Sequence, residues 1–186
     1  MVNPFVHGPR RLLLERRIFT LHAEEVEHPI SGRRMDISVL EAPAWCNIVP
    51  LTPDGRVVMV KQWRFGVRKV TLELPGGMVD PGEDPATAAA RELLEETGWR
   101  APGVVQTGVV SANPAIQTNH VYSFYAPNVE LAGAQDMDDG EDLEVLLVPL
   151  TDIPGLIASG DIDHSLVVAA FLHLANMAGG RLGVAP

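Results

Sequence analysis

For most of its length this chain alternates apolar and polar residues in runs short enough for strands. Residues 17–26 and 33–41 read as two short strands about the turn Pro29-Ile30-Ser31-Gly32, an N-terminal β-hairpin. Trp45–Leu51 and Val57–Trp63 are more continuously apolar, and the turn signal Pro53-Asp54-Gly55 joins them. Val70–Leu74 is a further strand that runs into Gly76-Gly77. There the period changes from that of a strand to that of a helix. Strand patterns return at Val104–Val110, His120–Tyr125 and Leu143–Val148, and residues 151–159 and 164–178 read as helices. Strands and helices mix without regular βαβ alternation. The pattern predicts an α/β fold of the mixed, α+β kind, built on a mixed sheet. It divides the chain into an N-terminal β-hairpin extension over 1–41, a main domain over 42–178 and a loose tail over 179–186.

The helix over residues 85–97 is the best specified element. Asp84 suits the N-cap, Pro85 the first helical position, and Gly98 a left-handed C-terminal stop. Ala86, Ala88, Ala89 and Ala90 favour helix strongly. Glu92, Glu95 and Glu96 then stand at i, i+3 and i+4, so three carboxylates share one surface and repel one another. A hard divalent cation with oxygen ligands would compensate, and Arg91 beside them would hold part of the cluster. A solvated acidic face is the simpler alternative for a glutamate pair alone.

Composition narrows the function classes. The 186 residues carry a net charge of −10, which argues against a general nucleic-acid binder. The charge also disfavours phosphate ligands unless a cation reverses the local field. No window approaches the roughly 20 apolar residues of a membrane span, and Leu12–Leu14 between arginines is too short for a secretory signal. The single cysteine, Cys46, sits in an apolar run, where a buried inert thiol in a reducing cytoplasm is expected.

The glutamates belong to a longer pattern. Gly77 is followed after five residues by Glu83, after seven more by Arg91-Glu92-Leu93, and then by Glu95-Glu96 and Gly98-Trp99. This spacing resembles the signature of Nudix hydrolases at every fixed position, and Leu74-Pro75-Gly76 resembles the family's approach to it. The resemblance implies an α/β/α sandwich and hydrolysis of a nucleoside diphosphate linked to another moiety, with Mg²⁺ as cofactor and Mn²⁺ as a substitute. It implies Glu92, Glu95, Glu96 and the carbonyl of Gly76 as metal ligands, with Glu95 also in the catalytic set. Glu83 and Arg91 would tie the loop to the helix.

Substrate choice lies outside that signature. Pro114, 15 residues after Trp99, resembles the marker of the ADP-ribose and nucleotide-sugar pyrophosphatase branch. So does Val60–Arg64 followed by Leu72–Pro75. By that resemblance Arg64, Glu73 and Met78 would contact substrate, although Arg64 could equally form a salt bridge with Glu73. Arg34, in an N-terminal region that swaps between subunits in this branch, would reach the partner's nucleotide or remain a surface arginine. Relatives place a glutamate just before a late strand. Glu141 is the match here, as general base or further metal ligand, with Asp139 behind it. His120 and Tyr122 could line a sugar pocket, Trp63 and Trp99 read as core, and Trp45 could stack a base. The resemblance thus implies a cytoplasmic homodimer that cleaves a small-molecule nucleotide sugar such as ADP-ribose. Rival readings are a family member acting on dinucleoside polyphosphates or oxidised nucleotides, and a non-catalytic nucleotide-sugar-binding module.

Overall fold

The computed structural model describes residues 2–137 and 142–186. It divides into two compact units, one formed by residues up to 43 with 111–120, the other by 44–110 with 121–186.

The first unit is an antiparallel sheet of three strands: β1 (Val6–Arg16), β2 (Phe19–Glu27) and β3 (Arg34–Glu41), with β2 in the middle. The expected hairpin is β2 and β3. The additional strand β1 escapes a period-based reading because its register with β2 shifts at His7/Arg10 and at Leu12/Leu14, which breaks the alternation. Glu24 on β2 is only 5% exposed, and His7 and Arg10 of β1 bind its carboxylate. Those two hydrogen bonds, His7 first, hold it below its ordinary pKa.

The second unit is a mixed sheet with helices on both faces. Its strands are β4 (Trp45–Leu51), β5 (Arg56–Arg64), β6 (Lys69–Glu73), β8 (Val105–Ser111), β9 (His120–Pro127) and β11 (Leu143–Pro149), in the order β11-β5-β4-β9-β8 with β6 also on β5. The strands β7 (Trp99–Arg100) and β10 (Glu130–Leu131), of two residues each, pair separately. β4 and β9 run parallel, while β5 is antiparallel to β4, β6 and β11. The helices are α1 (Pro85–Thr97), α2 (Ile153–Ser159) and α3 (Ser165–Met177). The helix expected over 151–159 begins with a 3₁₀ turn at Leu150–Asp152.

Strand alternation sorts the core into two layers. Cys46, Ile48, Val58 and Phe124 pack with Ala88, Ala89 and Leu93 of α1. Val49, Leu51, Val57, Met59 and Tyr125 pack with Ile153 of α2 and with Val167, Phe171 and Leu174 of α3. Both faces of β4 and β5 are therefore covered, which is why their sequences are continuously apolar instead of alternating. Trp99 packs partly against the α1 layer, but Trp63 is 51% exposed near the end of β5, beyond the helices' cover, and is not core. Among the described residues no helix is long and apolar enough to cross a membrane.

Candidate active site

The site is built where the loop after β6 meets β4 and α1. Backbone hydrogen bonds lay this loop along β4: Ile48 N to Pro75 O at 3.0 Å, Cys46 N to Gly77 O at 2.9 Å and Val79 N to Ala44 O at 2.9 Å. At Gly76 a Cβ would overlap the Cys46 carbonyl and lie 2.8 Å from Asn47 Cα, so only glycine allows so close an approach. At Gly77 a Cβ would lie 2.5 Å from Glu92 Oε1, so the second glycine makes room for a carboxylate.

α1 starts and stops as its sequence predicts. Asp84 accepts from Ala86 N at 2.9 Å and Thr87 N at 3.3 Å, and Gly98 takes φ 72° with its N–H on Leu94 O. This fixes which faces the glutamates occupy. Glu96 is 4% exposed, and its Oε2 accepts from Gly76 N at 3.0 Å. The side chain of Glu92 is 13% exposed against Gly77, and that of Glu95 is 42% exposed. Arg91 donates to Glu83 at 3.1 Å and to Glu92 and Glu95 at 3.0 Å each, and it also reaches Met78 O at 3.3 Å. Glu83, the largest contributor, and its neighbours hold Arg91 firmly protonated; Arg91 in turn holds the Glu83 carboxyl below its usual range. The loop-to-helix tie expected of Glu83 and Arg91 is thus present.

Among the described residues no three His, Cys, Asp or Glu side chains form a ready metal cage. Arg91 draws Glu92 and Glu95 together while Gly76 N engages Glu96, so the carboxylates are divided between two partners. The donor set still fits a hard divalent cation. It consists of carboxylate oxygens one helical turn apart, beside a glycine pair without side chains.

A cavity of about 300 Å³ opens beside this loop. Gly76, Gly77, Met78, Arg64 and Glu73 all line it, so five residues singled out in the sequence border one cavity. Arg64 and Glu73 form a two-pronged salt bridge, Nε to Oε1 at 2.8 Å and Nη2 to Oε2 at 2.7 Å, and Thr71 Oγ1 adds a bond to Oε1 at 2.6 Å. Glu73 is 2% exposed. Burial pushes its pKa up, but the bonds from Arg64 and Thr71 outweigh burial and hold it below the ordinary value. The two alternatives for Arg64 are compatible, since the fork uses only part of its N–H set and leaves donors for a ligand. Burial against the α1 layer pushes the Cys46 thiol up to about 11, so it stays protonated.

Other expectations fall elsewhere. Arg34 lies on β3 in the first unit, paired with Glu25 and Glu27, and does not line the cavity. Pro114 is exposed in the loop between β8 and β9. His120 and Tyr122 do not line the cavity; their alternate, Val121, does, because successive strand residues face opposite sides. Glu141 and Asp139 lie outside the described residues. The approach to them is anchored on α1: Asp136 N donates to Glu95 O at 2.9 Å and Gln135 Nε2 to Glu96 O at 2.6 Å, which satisfies carbonyls at the helix end. The cavity also takes in Asn47 and His164, which sequence reasoning missed. Asn47 left one signal, as a lone amide inside an apolar strand. His164 left none.

A model of the NUDIX domain matches residues 41–171. An ADP-ribose pyrophosphatase of Bacillus subtilis (strain 168) is 28% identical over 159 residues, 85% of each chain. A CMP-5'-(N-acetyl-N-hydroxy-3-aminopropyl)phosphonate hydrolase of Streptomyces rubellomurinus is 31% identical over 173 residues, 92% of this chain and 82% of that one. A crystal structure of an ADP compounds hydrolase superposes with a TM-score of 0.85 over 99% of both chains, at 22% identity, and shows the same fold. With the domain match spanning most of the chain and the signature glutamates set on α1 against the Gly76-Gly77 loop, the chain belongs to the Nudix family and is a Nudix hydrolase.

Proposed function

We propose that this enzyme hydrolyses the pyrophosphate bond of a nucleoside diphosphate sugar, ADP-ribose or a close analogue, to a nucleoside monophosphate and a sugar phosphate, with Mg²⁺ as cofactor and Mn²⁺ able to replace it. The observation that carries this reading is the single cavity bounded by the glycine pair that abuts Glu92 and Glu96 and by the guanidinium of Arg64. A fixed cationic fork lines this volume, and the carboxylates suited to a cation lie against the glycine pair at its edge. ADP-ribose pyrophosphatases among the relatives support the substrate class.

In this reading Glu92, Glu96, Glu95 and the Gly76 carbonyl hold the cation. When bound, it neutralises pyrophosphate charge and polarises the P–O bonds. Arg64, kept in orientation by Glu73, donates to a phosphate oxygen, and Met78 supplies an apolar wall. Glu141 takes a proton from the attacking water or adds a further oxygen ligand. Arg34 contacts the nucleotide of a partner subunit in a homodimer whose contact is the N-terminal extension. Exposed Val6, Leu12 and Ile18 along β1 and its turn support that contact, since a long edge strand with exposed apolar side chains is stabilised when covered. The buried, protonated Cys46 suits the reducing cytoplasm.

The test is a substrate panel of ADP-ribose, other nucleotide sugars, dinucleoside polyphosphates and nucleoside triphosphates, assayed with Mg²⁺ and with chelator. Preferential release of AMP and ribose 5-phosphate from ADP-ribose, abolished by chelator and restored by Mg²⁺ or Mn²⁺, is the expected result. Preference for a polyphosphate would assign the site to another branch of the family, and binding without turnover would make it a recognition module.

A further inference from the structure

We propose that Asn47 and His164 bind hydroxyl groups of the sugar carried on the pyrophosphate, and so help decide which nucleotide sugar this enzyme accepts. The inference rests on the reading of the cavity as the substrate site and goes further by naming the residues that recognise one end of the substrate.

Asn47 lies on β4, on the face it shares with Val49 and Leu51, which turns toward α2 and α3. It is 6% exposed in an otherwise apolar strand. Its Nδ2 donates to the carbonyl of Leu166, in the first turn of α3, at 3.1 Å. A carbonyl only accepts, so this bond fixes which end of the amide faces α3. The other end, Oδ1, is buried and has no hydrogen-bond partner. A buried unmatched acceptor is costly, so a donor that reaches Oδ1 on ligand binding would be favoured.

His164 repeats the situation at the start of α3. It holds the N-cap position without making a side-chain cap, and its Nδ1 is buried and unpartnered. Both residues line the cavity that holds Arg64 and Glu73. The lining of the cavity therefore includes an amide, an imidazole that donates or accepts by tautomer, a carboxylate and a guanidinium. A hydroxyl group both donates and accepts, so it suits each of these neighbours and either histidine tautomer. A nucleobase edge has a fixed donor and acceptor pattern and suits only one tautomer. Trp45, Val121 and Leu166 add apolar surface for the carbon face of a sugar ring. About 300 Å³ sits at the lower end for small-molecule sites, enough for one sugar unit and too small for a whole nucleotide sugar.

The experiment compares the intact enzyme with Asn47→Leu and His164→Ala on two substrates. These are ADP-ribose and adenosine 5′-(methyl diphosphate), which keeps the nucleotide and the pyrophosphate but has no second sugar. Each substitution is expected to raise KM for ADP-ribose roughly 3- to 10-fold, with kcat changed less, and to alter kcat/KM for the methyl ester by less than about twofold. Thermal melting accompanies the kinetics, because Asn47→Leu removes the donor to Leu166 O. If that variant fails to fold, His164→Ala, at a partly exposed helix start, carries the comparison. Equal losses on both substrates, or no loss on ADP-ribose, would overturn the inference while leaving the pyrophosphatase reading in place. A wild-type enzyme that cleaves neither substrate would defeat that reading and this one with it.

Discussion

At the scale of single residues, carboxylates and arginines in this molecule work as matched sets. Glu96 is the most deeply placed of the signature glutamates, and its charge is oriented by Gly76 N. Glu96→Gln keeps shape and burial but removes the charge a cation needs. Steady-state kinetics in Mg²⁺ should show kcat lower by roughly two orders of magnitude or more, with an unchanged circular dichroism spectrum. The pair of Arg64 and Glu73 yields a stability prediction with a defined sign. Arg64→Met leaves a carboxylate buried without its partner, and urea unfolding at neutral pH should show a loss of roughly 2–4 kcal/mol, less than for a fully buried pair because Arg64 is partly exposed. The folded-state pKa of Glu73 lies below its ordinary 4.5, so the pair's contribution is complete above that value and declines as pH falls beneath it. The stability difference between wild type and Glu73→Gln, followed by urea melts, should be constant from about pH 7 to about pH 5 and shrink below about pH 4.5.

At the scale of elements, α1 was the most legible part of the chain, because its ends are determined locally. Asp84, Pro85 and Gly98 specify start and stop through their own side chains and backbone conformation, and the structure places them so. Asp84→Ala should cost about 0.5–2 kcal/mol in thermal or urea unfolding, since two amide N–H groups lose their acceptor. The outer strand β1 was illegible for the opposite reason. Its bulges scramble the alternation, and its exposed apolar residues have no counterpart within one face. The two-residue strands β7 and β10 are also invisible to any periodicity, because pairing alone defines them.

At the scale of the whole molecule, the homodimer in the proposed function makes a direct prediction. Sedimentation equilibrium should return twice the chain mass, and replacing Leu12 and Ile18 with lysine should lower it toward one chain mass without loss of the melting transition. The signature spacing, the capped helix and the apolar strands could be read one residue after another, because each depends on neighbours within a few positions along the chain. They sufficed for the family and the mixed α/β architecture. The wall that Arg64, Glu73, Met78, Asn47 and His164 build together could not be read that way. Asn47 meets Leu166 across 119 positions of sequence, and whether a strand residue faces α1 or α3 depends on which layer covers that face. Spacing carries local geometry, whereas a cavity exists only once distant segments have packed around it.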